Sequence, residues 1–235
     1  FVNGILTFDV PNPDGNTSYS RHSFSAEGNN ACEFDNYRLW NLSEADSSII
    51  QTALDAIQNE APAYQTSFDT WDFGELPDYA RIDTGTLMLT SEGEHVSVDI
   101  DNIDSDSFVV EFEFRMSDAS PDGHCVVYSR NEGSGESERG IALGFFSNGS
   151  SVFALSAQEG SQEDVAYGEF DTTATNTITL VVIGDQLAVF MNDQPFYSVR
   201  DPYGGAVYAY TSFAATYALT CEYDNYKFWD LSGVD

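Results

Sequence analysis

The stretch Phe108-Val109-Val110-Glu111-Phe112-Glu113-Phe114-Arg115-Met116 decides the architecture. Every even position in it is apolar, and from Glu111 onward the odd positions alternate in as charged residues. A period of two marks a strand with one face on a core and the other in water. Similar short runs occupy Thr86–Thr90, His95–Ile100, Cys125–Arg130, Gly140–Phe146, Val152–Ser156, Thr177–Ile183 and Leu187–Met191. Turn-forming segments separate them at Ser117–Gly123, Asn131–Ser137, Ser147–Ser150, Gly184-Asp185 and Asn192-Asp193. The segment around Gly184-Asp185 reads as a tight hairpin. Many closely spaced strands with almost no helix predict an all-β chain, a sandwich or jelly roll.

One helix is expected, from about Glu44 to Asn59. Ser43 serves as N-cap, Glu44 and Asp46 sit at the positive end of the dipole, and Pro62 ends the segment. Ile49, Ile50, Ala53, Leu54 and Ile57 fall on one face, and that stripe is expected to pack on a neighbouring repeat.

The repeat is suggested by a duplicated stretch. Cys32-Glu33-Phe34-Asp35-Asn36-Tyr37-Arg38-Leu39-Trp40-Asn41-Leu42-Ser43 returns as Cys221-Glu222-Tyr223-Asp224-Asn225-Tyr226-Lys227-Phe228-Trp229-Asp230-Leu231-Ser232, an offset of 221 − 32 = 189 residues. The same offset pairs Phe1 with Phe190, Pro13 with Pro202, Tyr19 with Tyr208 and Phe24 with Phe213. The expected organisation is the closing strands of a preceding repeat at 1–46, a helical linker at 47–65 and a complete sandwich at 66–235. On this reading Phe1 falls inside a unit, so the chain is a fragment or a subunit completed by another chain.

Composition narrows the partners. The chain of 235 residues has 39 acidic against 8 basic side chains, formally −31. Such a surface repels nucleic-acid phosphates and anionic headgroups. No run of 18 apolar residues exists to span a bilayer. The start of the chain lacks the basic and apolar regions of a signal peptide, so export is expected to need a leader outside it. Of three cysteines, Cys125 and Cys221 could pair between strands, leaving Cys32 as the counterpart of Cys221; the other reading is three buried free thiols. Pairing implies an extracellular setting. The triplets Asn16-Thr17-Ser18, Asn41-Leu42-Ser43 and Asn148-Gly149-Ser150 permit N-glycosylation.

Two stretches carry a family likeness. The opening Ser67-Phe68-Asp69-Thr70-Trp71-Asp72-Phe73 with Ile82–Leu89, and the close Leu187–Asp193 with Glu222–Trp229, resemble the first and last strands of a concanavalin A-like lectin/glucanase domain of laminin-G-like type. The resemblance covers 66–235 and the partial copy at 1–46. It implies a jelly-roll β-sandwich, an architecture shared by enzymes, sugar binders and spacers.

That resemblance sets the chemistry to look for. Related glucanases carry Glu-x-Asp-x-x-Glu or Glu-x-Asp-x-Glu on one strand, and glycoside hydrolysis needs a carboxylate pair. The nearest run here, Glu111-Phe112-Glu113-Phe114-Arg115, lacks the aspartate and the third acid and reads as a salt-bridged surface. His22, His95 and His124 show no metal-ligand spacing. The resemblance implies one structural Ca2+ where first and last strands meet, held by Asp224 with Asp69 or Asp72, and by Asp35 in the earlier copy; the competing reading is that Asp224 and Asn225 hydrogen-bond a neighbouring loop. Exposed aromatics are the sugar candidates: Trp71 in the opening loop, and Tyr203 and Tyr210, which align with Asp14 and Arg21 and so differ between copies, unlike Tyr208. The expectation is a non-catalytic, secreted or cell-surface repeat module for adhesion or structural spacing, touching neighbouring repeats or copies of itself, with glycans as further ligands. The alternatives are a filament subunit assembled by strand complementation and a carbohydrate-binding module of a larger enzyme.

Overall fold

Alternation along the strands resolves into two antiparallel sheets facing each other. A computed structural model describes residues 47–71, 74–103, 105–117, 120–129, 140–158, 161–200 and 209–232. The chain divides after Leu39, and every described residue belongs to the second unit, Trp40–Asp235. The stretch 1–46, with Asp35 and Cys32, lies outside the described residues.

The elements in order are α1 (Ser47–Asn59), β1 (Tyr64–Thr66), β2 (Ala80–Asp83), β3 (Thr86–Ser91), β4 (Val96–Ile103), β5 (Ser107–Ser117), β6 (His124–Ser129) and β7 (Gly140–Phe146). They continue with β8 (Ser150–Gln158), β9 (Ser161–Glu169), β10 (Asn176–Ile183), β11 (Gln186–Met191), β12 (Gln194–Arg200), β13 (Ala209–Thr216) and β14 (Leu219–Asp230). One sheet has eight strands in the order β12-β11-β10-β5-β14-β3-β2, with β1 also paired to β14; the other has six, β4-β13-β6-β7-β8-β9. Each of the eight runs read from alternation coincides with a strand, with ends that agree to within three residues. The hairpin at Gly184-Asp185 joins β10 to β11, with Gly184 at φ +55°.

The two inner faces interdigitate as one core. Phe114 of β5 stacks on Phe145 of β7 with ring centroids 4.1 Å apart, and Tyr223 of β14 stacks on Phe213 of β13 at 4.2 Å. The Tyr223 hydroxyl is wholly buried and donates to the Ala214 carbonyl at 2.9 Å; burial drives its pKa well above the usual phenol value. Cys125 of β6 and Cys221 of β14 are joined across the sheets by a disulfide, Cα–Cα 5.8 Å. Where the outer edges meet, Phe196 of β12 lies over Gly168 of β9.

The apolar face of the helix packs on the sandwich that follows it in the chain: Ile50 and Ala53 pack on Val109, Val181, Ala188, Trp229 and Leu231, on the outer side of the eight-stranded sheet. The Trp229 indole N–H donates to the Glu60 carbonyl at 3.1 Å and ties down the end of the helix. Ile49 lies off this face and is exposed. The physical reason is in the strands. Val109 and Val181 are apolar at outward-facing positions, and an apolar patch on a solvent face needs a cover.

Candidate functional site

β14 positions the site because it touches three partners, β5, β3 and β1. Its register with β5 slips between Asp224 and Lys227. This bulge places Asn225 at φ +51°, a conformation that asparagine tolerates better than most residues. It also switches which residues point inward: Cys221 and Tyr223 before it, Tyr226 and Phe228 after it, all in the core. Glu222, Asp224 and Lys227 are thereby aimed outward from one strand.

On that outer face the charges are matched in rungs. The Arg115 guanidinium donates to Glu222 at 2.9 Å through Nε, the Lys227 ammonium donates to Glu111 at 2.6 Å, and the Asn225 amide donates to Glu113 at 3.1 Å. The run Glu111–Arg115 is therefore a cross-strand ladder. These rungs are only partly screened from water, with Glu222 buried, and solvent-exposed pairs contribute about 0–1 kcal/mol each.

Beside the bulge, β1 adds to β14 with Tyr64 opposite Phe228, Gln65 opposite Lys227 and Thr66 opposite Tyr226. The chain then turns through Phe68, a fully buried ring held at φ +53°. The Thr66 hydroxyl accepts the Phe68 amide at 2.9 Å and holds that turn. A bulky residue in the left-handed region is strained, and such residues gather at binding sites. Between the turn and the bulge opens a cleft of about 440 Å³. Hydroxyl and amide groups of Gln65, Thr66, Ser67, Thr70 and Asn225 line it, together with Tyr64, Tyr226, Asp69 and Lys227. Asp69 accepts from the Ser67 hydroxyl at 2.7 Å. It also abuts Gly85, where a Cβ would stand 3.1 Å from Asp69 Oδ1.

Two expected metal ligands, Asp69 and Asp224, are thus brought into one electrostatic neighbourhood. Burial raises the pKa of Asp224, and the charges of Glu113 and Asp69 raise it further against the opposing Asn225 amide. Among the described residues no three His, Cys, Asp or Glu side chains are grouped to hold a metal ion. Asp72 and Tyr203 lie outside the described residues. Tyr210 stands opposite Asn102 beside an irregularity in β13, with its side chain outside them. Trp71 is half-buried and packs against the main core. The cleft's own polar residues, Gln65, Thr66, Ser67 and Asn225, were not singled out from sequence as ligand contacts. The signal available was an Asx residue within a strand, at Asn225.

No protein-family model and no curated protein matches the chain. Among solved structures, it is similar to a Bacillus subtilis protein of unknown function with a galectin-like fold, at TM-score 0.56 and 11% identity over 73% of this chain and 96% of that one. It is similar to the beta-glucanase of Bacillus licheniformis, at TM-score 0.56 and 9% identity over 74% and 100% of the two chains. It is similar, too, to the metal-free carbohydrate recognition domain of Emp46p, at 0.52 and 14% over 64% and 85%. These likenesses support the concanavalin A-like jelly-roll fold. Among the described residues no helix is long and apolar enough to cross a membrane.

Proposed function

We propose that this chain is a non-catalytic carbohydrate-binding module of a secreted or surface-displayed protein, with the cleft between β1 and the β14 bulge as its site. The observation that carries the reading is the cleft itself: side-chain hydroxyls, amides and one carboxylate converge between two backbone positions held at positive φ, Phe68 and Asn225. Sugars are recognised by convergent donors and acceptors placed beside an aromatic ring, and Tyr64 supplies the ring. The non-catalytic part is supported by the ladder, since Glu111 and Glu222 are paired to cations and Glu113 to an amide, where hydrolysis needs an acid and a base facing one bond. The Cys125–Cys221 bond suits an oxidising compartment. Capturing glycans from a displayed sandwich would make the module adhesive.

Calcium belongs to the same proposal as a stabiliser of the β1–β14 junction. Asp69 and Asp224 would hold it; burial first, and then the charges of Glu113 and Asp69, raise the pKa of Asp224, and those two charges support surplus negative charge there. The ion would supply charge neutralisation. Screening neutral and acidic glycans against the protein, with a reducing-end assay on every hit, tests the function. Binding without release of reducing ends supports it; hydrolysis of a bound glycan overturns the non-catalytic part, and no binding at all overturns the rest.

A further inference from the structure

We propose a second carbohydrate contact on the outer face of the six-stranded sheet, a ring platform formed by Tyr217, His124 and Phe146. This rests on the carbohydrate reading above and assigns a site on the other sheet.

The sheet register builds the platform. Thr216 ends β13 opposite His124, which begins β6, and His124 lies opposite Phe146, which ends β7. Their neighbours Ala215, Cys125 and Phe145 point into the core, so Thr216, His124 and Phe146 face outward by the strand period of two. The His124 ring lies 5.0 Å from the Phe146 ring and 5.6 Å from the Tyr217 ring. His95, just before β4, extends the row with Nδ1 3.1 Å from the Thr216 hydroxyl. The row crosses four adjacent strands, about 14 Å at the usual strand spacing, which is room for a short oligosaccharide.

Tyr217 is the reason to read this row as a site and not as packing. It is 52% exposed, the most open of the large hydrophobic side chains among the described residues. It sits with Ala218 in the two-residue β13–β14 turn at φ +60° and +50°, where Asn-Gly is the relaxed choice. The turn is braced: Ser120 donates its amide to the Ala218 carbonyl at 3.0 Å and its hydroxyl to the Tyr217 carbonyl at 2.5 Å. Gly123 lies so close that a Cβ there would be 3.0 Å from the Tyr217 carbonyl. A strained but rigid turn that holds a tyrosine in water keeps a ring where a ligand can stack on it.

The chemistry selects a neutral saccharide. The exposed Tyr217 ring offers a face to the C–H side of a pyranose, with the His124 ring tilted beside it by 50° and Phe146 beyond, and the imidazoles offer hydrogen bonds to its hydroxyls. None of the five residues is a carboxylate, on a chain of net charge −31. The other exposed large apolar side chains, Ile49 and Tyr79, are outside the row. A protein partner would need a broader apolar surface than this row provides.

The test titrates cellohexaose, laminarihexaose and mannohexaose calorimetrically into the wild type and three variants. Tyr217→Ala removes the platform, Tyr217→Phe restores its ring, and Asn225→Gly removes the cleft amide while keeping the bulge conformation. The expected result is two sites for at least one sugar, one site lost in Tyr217→Ala and regained in Tyr217→Phe. A Tyr217→Ala protein that keeps every wild-type site overturns the platform alone. Full loss in Tyr217→Ala with no change in Asn225→Gly keeps the platform and overturns the cleft. Binding of none of the three sugars overturns the platform, whose ligand is a neutral saccharide, while the cleft answers to the wider screen of neutral and acidic glycans.

Discussion

Phe196 lies against Gly168 so closely that a Cβ on residue 168 would stand 1.8 Å from the phenyl ring. The contact closes the edge of the sandwich where β12 of one sheet meets β9 of the other. Gly168→Ala must therefore displace a half-buried ring that packs against the main core. Overpacking of this kind costs about 1–3 kcal/mol. Urea unfolding of Gly168→Ala should show a lower midpoint at unchanged slope, and adding Phe196→Leu should recover part of the loss because the two sites share one contact.

The disulfide spans 96 residues of sequence and links the two sheets through their buried faces. Closing a loop of that size restricts the unfolded chain by up to about 4–5 kcal/mol. Replacing Cys125 and Cys221 together by Ala should lower the thermal midpoint sharply while leaving far-ultraviolet circular dichroism of the folded state unchanged. A midpoint equal to that of the wild type would mean that the bond does not restrain the unfolded chain.

Tyr217 and Ala218 both adopt left-handed backbone in the β13–β14 turn. Each Cβ in that region costs roughly 1–2 kcal/mol. Substituting Tyr217→Asn with Ala218→Gly should raise stability by about 2 kcal/mol in denaturant unfolding, and the same protein should lose sugar binding at the platform. Stability gained with binding retained would contradict the function assigned to the ring.

Asp224 gives the account its pH dependence. Its folded pKa is raised, so its contribution to stability is complete below the ordinary carboxylate pKa and is lost as pH rises through the folded value. At neutral pH the ionised carboxylate is a net cost, and Asp224→Asn should melt higher than the wild type in the presence of a chelator. That advantage should vanish once the pH falls below the carboxylate range. If calcium neutralises Asp69 and Asp224, adding it should raise the wild-type midpoint and leave that of Asp224→Asn nearly unchanged; equal midpoints with and without the ion would remove calcium from the proposal.

Much of the sandwich was legible because alternation is read locally. Phe108–Met116 announces β5 from its own residues, and Gly184-Asp185 announces a hairpin. What escaped depends on partners distant in sequence. β9, Ser161–Glu169, begins with four polar residues because it is an edge strand with one neighbour, so its period is blurred. β1 has only three residues and exists through its pairing with β14. The cover for α1 was foreshadowed by Val109 and Val181, yet only the assembled sheet puts them together with Trp229. Asp69 and Asp224 were named through the family likeness, whereas the cleft beside them arises between the positive-φ positions Phe68 and Asn225, which side-chain pattern alone does not reveal.

The most direct measurement is a two-dimensional amide spectrum of the labelled protein, recorded while cellohexaose, laminarihexaose and mannohexaose are added in turn. The account predicts that a binding sugar shifts the amides of Gln65, Thr66, Ser67, Asn225 and Lys227, and that Asn225→Gly weakens binding at that site by tenfold or more, about 1.4 kcal/mol. Saturable binding that leaves those five amides unmoved would contradict it.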